Sequence, residues 1–313
     1  MIDTRLILFD GIAGSGKTTN SQWLYVTLVK AGIAAQWITE SQRDHPIYRR
    51  EIAQARTTEE AIGIALAGWQ QFVADGAALA SLPIMDGSAD NPISFLLLRD
   101  TPPERIALAV TAQAAAMRPL RPVLFQLYQD NVDAAIDTII RRRGEGWRQH
   151  LVAYVASSPF AQNRQLSGIE AVRVYYREHR RIADLAFRDL AIGKTAINTS
   201  DGRWADYQAT ILDVLDIRVA AGSTPPVNLS ALVGEYDDPE RDGTWRITQA
   251  DGALFLEGDT RLRLVHVDGG RFFIEGQPIE LLFEGPDQGT AARVHYRSKA
   301  SDGLKGELTW VRV

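Results

Sequence analysis

The chain has 313 residues, 45% hydrophobic and 23% charged, an ordinary composition for a water-soluble globular protein with room for one large domain or two smaller ones. A formal charge of −5 gives no basic excess to hold a nucleic-acid backbone, and the lack of cysteine excludes disulfides, zinc–thiolate sites and thiol nucleophiles. No stretch approaches the roughly 18 apolar residues that span a bilayer, so no membrane partner is expected. The location expected is the cytoplasm.

The first apolar run, Arg5-Leu6-Ile7-Leu8-Phe9-Asp10, reads as a buried strand rather than a signal peptide. Gly11-Ile12-Ala13-Gly14-Ser15-Gly16-Lys17-Thr18 follows, a complete G-x-x-x-x-G-K-[ST] phosphate loop. Behind it, 18–31 carries Trp23, Leu24, Thr27 and Leu28 at helical spacing. Strand, glycine loop and helix are the context this motif needs: backbone N–H groups curl round phosphate oxygens and the helix N-terminus adds partial positive charge. Ala13, Gly14, Ser15, Gly16, Lys17, Thr18 and Thr19 are therefore the expected nucleotide contacts, with Lys17 on the outer phosphates and the Thr18 hydroxyl on magnesium.

A second strand, Ala35–Thr39, ends in Glu40, and the loop beyond holds Arg43, His45 and Arg49 as weaker candidates for substrate contact. Ligands of open parallel sheets bind beyond the carboxyl ends of the strands, so Glu40 is placed to orient or deprotonate an acceptor hydroxyl. Helical patterns at 47–56 and 58–80 are expected to wall the acceptor pocket, with Trp69 and Phe72 as core rather than stacking residues. The third strand, Leu82–Asp86, delivers one carboxylate, Asp86, to a magnesium shell. After a helix at 103–117 and a fourth strand at Pro122–Leu127, the helical stretch 131–142 runs into Arg141-Arg142-Arg143-Gly144-Glu145-Gly146-Trp147-Arg148. Four arginines round two glycines suggest a mobile lid that closes positive charge over the phosphates. Helix 168–191, a fifth strand Thr195–Asn198 and helix 203–219 complete an α/β unit: a P-loop NTPase core with a five-stranded parallel sheet.

Ala220-Ala221-Gly222-Ser223-Thr224-Pro225-Pro226 is a linker by composition. Periodicity then switches to two, with strands at Thr244–Thr248, Ala253–Glu257, Leu262–Val267, Arg271–Glu275 and Ala292–Tyr296. Turn signals at Asp251-Gly252, Asp268-Gly269-Gly270 and Asp302-Gly303 lie between and beyond them, so a small antiparallel barrel or sandwich is expected. The division expected is 1–220 as the P-loop domain, 221–228 as linker and 229–313 as an all-β accessory domain. The five histidines lack metal-ligand spacing, and the absence of Asn-Lys-x-Asp favours ATP over a guanine nucleotide.

The segment Phe9 to Thr19 resembles the opening of thymidylate kinases and, more broadly, deoxynucleoside-kinase-like enzymes. The resemblance extends over about residues 1–215 through Glu40, Asp86 and the arginine-rich segment. It implies a five-stranded parallel sheet and phosphoryl transfer from ATP–Mg2+, with Lys17, Thr18, Glu40, Asp86 and Arg143 in the corresponding roles. Arg141, Arg142 and Arg148 join Arg143 over the phosphates, and Thr18 and Asp86 hold the metal. The chain departs from that pattern at Ala13, at Ser41 where a proline is usual, and at Gly87 where an arginine is usual, which points to an acceptor other than thymidylate. The segment Leu232-Val233-Gly234-Glu235-Tyr236, which opens the first strand of this tail, resembles the lipocalin-like β domain appended to some β-lactamase-like hydrolases.

The sequence thus describes an ATP-dependent phosphotransferase acting on a nucleoside, nucleotide or drug-like alcohol, with a homodimer left open. The rival is a regulatory module whose P-loop core senses ATP while the β domain binds a partner.

Overall fold

A computed structural model describes the chain except residues 1–2, 41, 43, 49, 77–79, 89–90, 219–226, 239–242, 259–260, 286–290 and 299–306. The linker at 220–226, Ser41, Arg43, Arg49 and the Asp302-Gly303 turn therefore lie outside the described residues. The chain divides into two compact units, 1–21 with 45–218, and 22–44 with 219–313.

Five strands, β1 (Ile7–Asp10), β2 (Ala35–Ile38), β3 (Leu82–Asp86), β4 (Val123–Tyr128) and β5 (Gly193–Asn198), form a sheet of order β2-β3-β1-β4-β5. The pairings β1–β3, β1–β4 and β4–β5 are parallel. Both faces of such a sheet are covered by helices, so its strands read as unbroken apolar runs rather than as alternation. In β1, Ile7, Leu8 and Phe9 are all fully buried. The helices are α1 (Lys17–Lys30), α2 (Arg50–Gln54), α3 (Thr58–Gly76), α4 (Asn91–Leu98), α5 (Pro103–Met117), α6 (Val132–Ala156), α7 (Pro159–Asn163), α8 (Gly168–Asp189) and α9 (Trp204–Val214). A glycine loop between β1 and α1, in a parallel sheet of this order, is the architecture of a P-loop NTPase core.

Several helical expectations change, and α7 is a short helix that was not expected. The stretch 131–142 is helical as expected and ends at a kink at Gly144 (φ 83°, ψ 178°), but a second helical stretch that the sequence reading did not foresee continues to Ala156 and buries Leu151 and Val155. The sequence gives no warning of α4, whose Asn-Pro-Ile-Ser-Phe-Leu-Leu-Leu is too uniformly apolar to show a helical period. The pattern at 47–56 shortens to α2, after a loop in which His45 Nδ1 accepts the N–H groups of Ile47 and Tyr48. The strongest amphipathic element is α8, which buries Val172, Tyr175, His179, Ile182 and Ala186 along one face.

The C-terminal strands are β6 (Gly234–Asp237), β7 (Thr244–Ala250), β8 (Ala253–Glu257), β9 (Leu262–Asp268), β10 (Arg271–Ile274), β11 (Ile279–Glu284), β12 (Arg293–Ser298) and β13 (Glu307–Arg312). They form a closed antiparallel barrel in which each strand pairs with its neighbours in sequence, and β13 pairs with β6 to close it. Closure leaves no exposed edge. Alternation sends Ile247, Leu256, Leu281, Val294, Leu308 and Trp310 into the interior. At the closing seam Arg312 donates to the carbonyls of Ala231 and Val233 and lies over the Tyr236 ring. Two strands escape the sequence reading. In β11 consecutive Leu281 and Leu282 mask the alternation, although only Leu281 points inward; β13 alternates plainly, with Leu308 and Trp310 buried, and follows the Asp302-Gly303 turn signal.

Candidate active site

The phosphate loop is shaped by its surroundings. Gly11 (φ 139°) passes so close to β4 that a side-chain carbon there would lie 2.1 Å from the Leu127 carbonyl oxygen. Three successive carbonyls beyond it are then taken by side-chain donors. Gln129 Nε2 donates to Gly14 O at 3.1 Å, Thr199 Oγ1 to Ser15 O at 2.9 Å, and Asn20 Nδ2 to Gly16 O at 3.0 Å. Because each peptide is trans, holding the Ser15 and Gly16 carbonyls on one side turns the N–H groups of Gly16 and Lys17 to the other. That is the donor set of an anion cradle, at the N-terminus of a 14-residue helix.

Lys17, Thr18 and Thr19 occupy the first turn of α1 and are half-buried. Lys17 is near enough to His179 that its charge helps depress that imidazole. Burial is the larger cause, and together they hold His179 down to about 3, so the ring is neutral at physiological pH. Its Nε2 lies 3.1 Å from Ser94 Oγ on α4. The indole of Trp204, at the start of α9, covers Gly16 so closely that a methyl group there would meet the ring at 2.8 Å.

Asp86 is buried at the carboxyl end of β3, in register with Phe9 of β1, and the next residue's N–H donates to Phe9 O at 2.8 Å. Asp10, fully buried at the end of β1, is a second carboxylate at this edge. No group of three or more metal-capable side chains occurs among the described residues. A magnesium ion nevertheless fits this donor set, since it takes one or two carboxylates, a hydroxyl, phosphate oxygens and water rather than an all-protein cage. Ser88 follows, facing His45 Nε2 at 3.4 Å. Burial lowers His45 to about 4, and its Nδ1 already accepts two N–H groups, so the neutral ring carries its proton on Nε2. Trp69 is fully buried and donates to Gln113 Oε1 at 3.0 Å, and Phe72 is also buried, so both are core. Glu40 lies just beyond β2 and is exposed; it belongs to the second unit.

The first turns of α6 reach the loop directly. A side-chain carbon on Gly14 would touch Ala135 O at 3.0 Å and Ile139 Cβ at 3.4 Å. Ion pairs Arg173–Asp137 (2.9 Å) and Arg177–Asp133 tie these same turns to α8. Arg141, Arg142 and Arg143 follow on the same helix and are exposed. Arg141 donates to Thr138 Oγ1, Arg143 lies over the Trp147 ring, and Arg148 pairs with Glu145 at 2.6 Å. The structure therefore brings Gly14, Lys17, Thr18 and Asp86 to neighbouring strand and helix ends, and sets the arginine cluster one turn beyond the residues that touch Gly14.

Sequence reasoning missed Gln129, Thr199, Asn20, Trp204 and Arg180. Gln129 and Thr199 each sit one residue past a strand, where the strand-end rule that found Asp86 could also have found them. Arg180, on α8, donates to Gln129 O at 3.0 Å and lies over the Tyr128 ring, so it braces the residue that holds Gly14. Nothing in the sequence marks Trp204.

No protein-family model matches the chain, and no curated protein matches it. Among solved structures, a thymidylate kinase from Candida albicans, described as revealing the origin of broad substrate specificity and a novel structural element, is similar at 13% identity with a TM-score of 0.41. The match covers 68% of this chain and 91% of that one. The fold stands on strand order, parallel pairing and the glycine loop.

Proposed function

We propose that the chain is an ATP-dependent phosphotransferase of the thymidylate-kinase or deoxynucleoside-kinase-like kind, moving the γ-phosphoryl group to a small-molecule acceptor. The observation that carries this reading is the phosphate loop whose carbonyls are held by Gln129, Thr199 and Asn20, presenting N–H groups and Lys17 to an anion. The acceptor oxygen attacks the γ-phosphorus, the bond from that phosphorus to the β–γ bridging oxygen breaks, and ADP leaves. Glu40 takes the acceptor's proton. Thr18 and Asp86 would hold magnesium, which when bound would neutralise charge on the transferring phosphoryl group. Arg141, Arg142, Arg143 and Arg148 close over the phosphates, and α2 and α3 wall the acceptor.

Residues 1–220 form the catalytic domain, 221–228 a linker and 229–313 a β domain of lipocalin-like kind, a label supported by its eight-stranded up-and-down closure. The protein acts in the cytoplasm on a nucleoside, nucleotide or drug-like alcohol; no helix among the described residues is long and apolar enough to cross a membrane. The test is ADP release from ATP–Mg2+ against a panel of nucleosides, nucleotides and aminoglycoside-like alcohols. Tight ATP binding with no acceptor stimulating turnover would instead favour the regulatory module.

A further inference from the structure

Helix α1 runs unbroken from Lys17 to Lys30, and from Gln22 onward it belongs to the same compact unit as the barrel. Gln22 is 2% exposed, yet its amide is fully engaged. Nε2 donates to the carbonyls of Ile274 and Gln277, each at 3.0 Å, and Oε1 accepts the Gly276 N–H at 2.8 Å. Ile274 ends β10, and Gly276 and Gln277 lie on the turn that joins it to β11. One helical turn on, Tyr25 packs edge-on against Phe273 of β10 (5.9 Å) and its hydroxyl accepts from Arg271 Nη1 at 3.3 Å. Trp37 of β2 meets the same Phe273 ring at 5.3 Å.

Apolar packing alone would tolerate small slides or rotations of α1. Three hydrogen bonds from one buried amide do not, because any shift leaves buried donors or acceptors unmet. Gln22 stands four residues after Thr18 and five after Lys17, about 6–8 Å along a rigid helix. We infer that Gln22 is a positioning residue through which the β10–β11 turn of the barrel sets α1, and with it Lys17 and Thr18, in the geometry that holds nucleotide phosphates. The inference rests on the nucleotide-binding reading above.

Two variants of the full chain test it. Gln22→Met keeps the side-chain volume and removes all three hydrogen bonds; Gly276→Ala strains the turn, where φ is 68°, and leaves α1 untouched. Binding of ADP–Mg2+ is measured by titration calorimetry and amide hydrogen exchange is followed across the chain. Both variants are expected to weaken ADP about tenfold or more and to speed exchange over residues 18–26, with exchange in β7 and β8 unchanged. ADP affinity within about twofold of the parent in either folded variant, or unchanged exchange in α1, overturns the inference. A parent protein that binds no ADP overturns the nucleotide reading itself, and accelerated or unaltered exchange in α1 still decides whether Gln22 orders the helix. If Gln22→Met does not fold, Gly276→Ala carries the test alone.

Discussion

Two buried imidazoles make the stability of this chain depend on pH. His45 and His179 have folded-state values near 4 and near 3, against 6.5 for an exposed histidine, and burial is the first cause in both. The unfolded chain binds the protons that the folded one refuses. Their contribution is therefore fully present above about pH 6.5 and is lost as pH falls from there towards about 4 for His45 and about 3 for His179. Each is worth on the order of 3 kcal/mol across that range. Denaturant unfolding should thus show stability dropping steeply between pH 6.5 and 4, and His179→Gln should flatten the slope by about one proton; an unchanged slope would mean that His179 is not held neutral. The same ring lies within the field of Lys17 but stays neutral down to about pH 3, so acidification through this range adds no second cation at the phosphate loop. Nucleotide affinity should consequently not improve on acidification through this range, as it would if His179 were a phosphate ligand.

The helix that carries the arginines shows what an element can hide. Its first turns are held to α8 by Arg173–Asp137 and Arg177–Asp133, and they pack on Gly14. Gly144 then adopts φ 83° and ψ 178°, a conformation almost reserved for glycine, with no atom within 4 Å of where a Cβ would stand. Substituting Gly144→Ala should therefore act through the backbone, at a cost of about 1–3 kcal/mol, by driving α6 towards a straight helix. Turnover is expected to fall several-fold, measured by ADP release, while the barrel's exchange protection stays as in the parent; unaffected turnover would argue against closure at this break. A glycine inside a charged stretch invites a loop reading, and burial of Leu151 and Val155 accompanies the helix that resumes beyond it. Much else at this scale was legible: the phosphate loop, its flanking strand and helix, Asp86 at a strand end, and β8 to the residue. Apolar runs such as α4 and the doubled leucine of β11 were not, because their periodicity depends on which neighbours cover them.

At the scale of the whole molecule, the change of periodicity after residue 220 correctly announced an all-β structure, and closure into a barrel rather than a sandwich follows from pairing that sequence spacing does not specify. The sequence offered no sign that Gln22, Tyr25 and Trp37 face Phe273 and the β10–β11 turn, since those contacts join segments more than 230 residues apart. Deleting residues 227–313 should accordingly expose these side chains, each large apolar one worth about 1.5–3 kcal/mol of burial. The fragment is expected to unfold at lower denaturant and to bind ADP more weakly, by urea titration and calorimetry. A fragment as stable and as active as the full chain would make the barrel dispensable.

The most direct measurement is steady-state ADP release from ATP–Mg2+ by the full chain and by Lys17→Ala, across the panel of nucleosides, nucleotides and aminoglycoside-like alcohols. A phosphotransferase predicts at least one acceptor that raises ADP release well above the acceptor-free rate, yields a phosphorylated product in equal amount, and loses all stimulation in a Lys17→Ala variant that still folds. Tight ATP binding without acceptor-dependent release, or near-normal rates in Lys17→Ala, would contradict it.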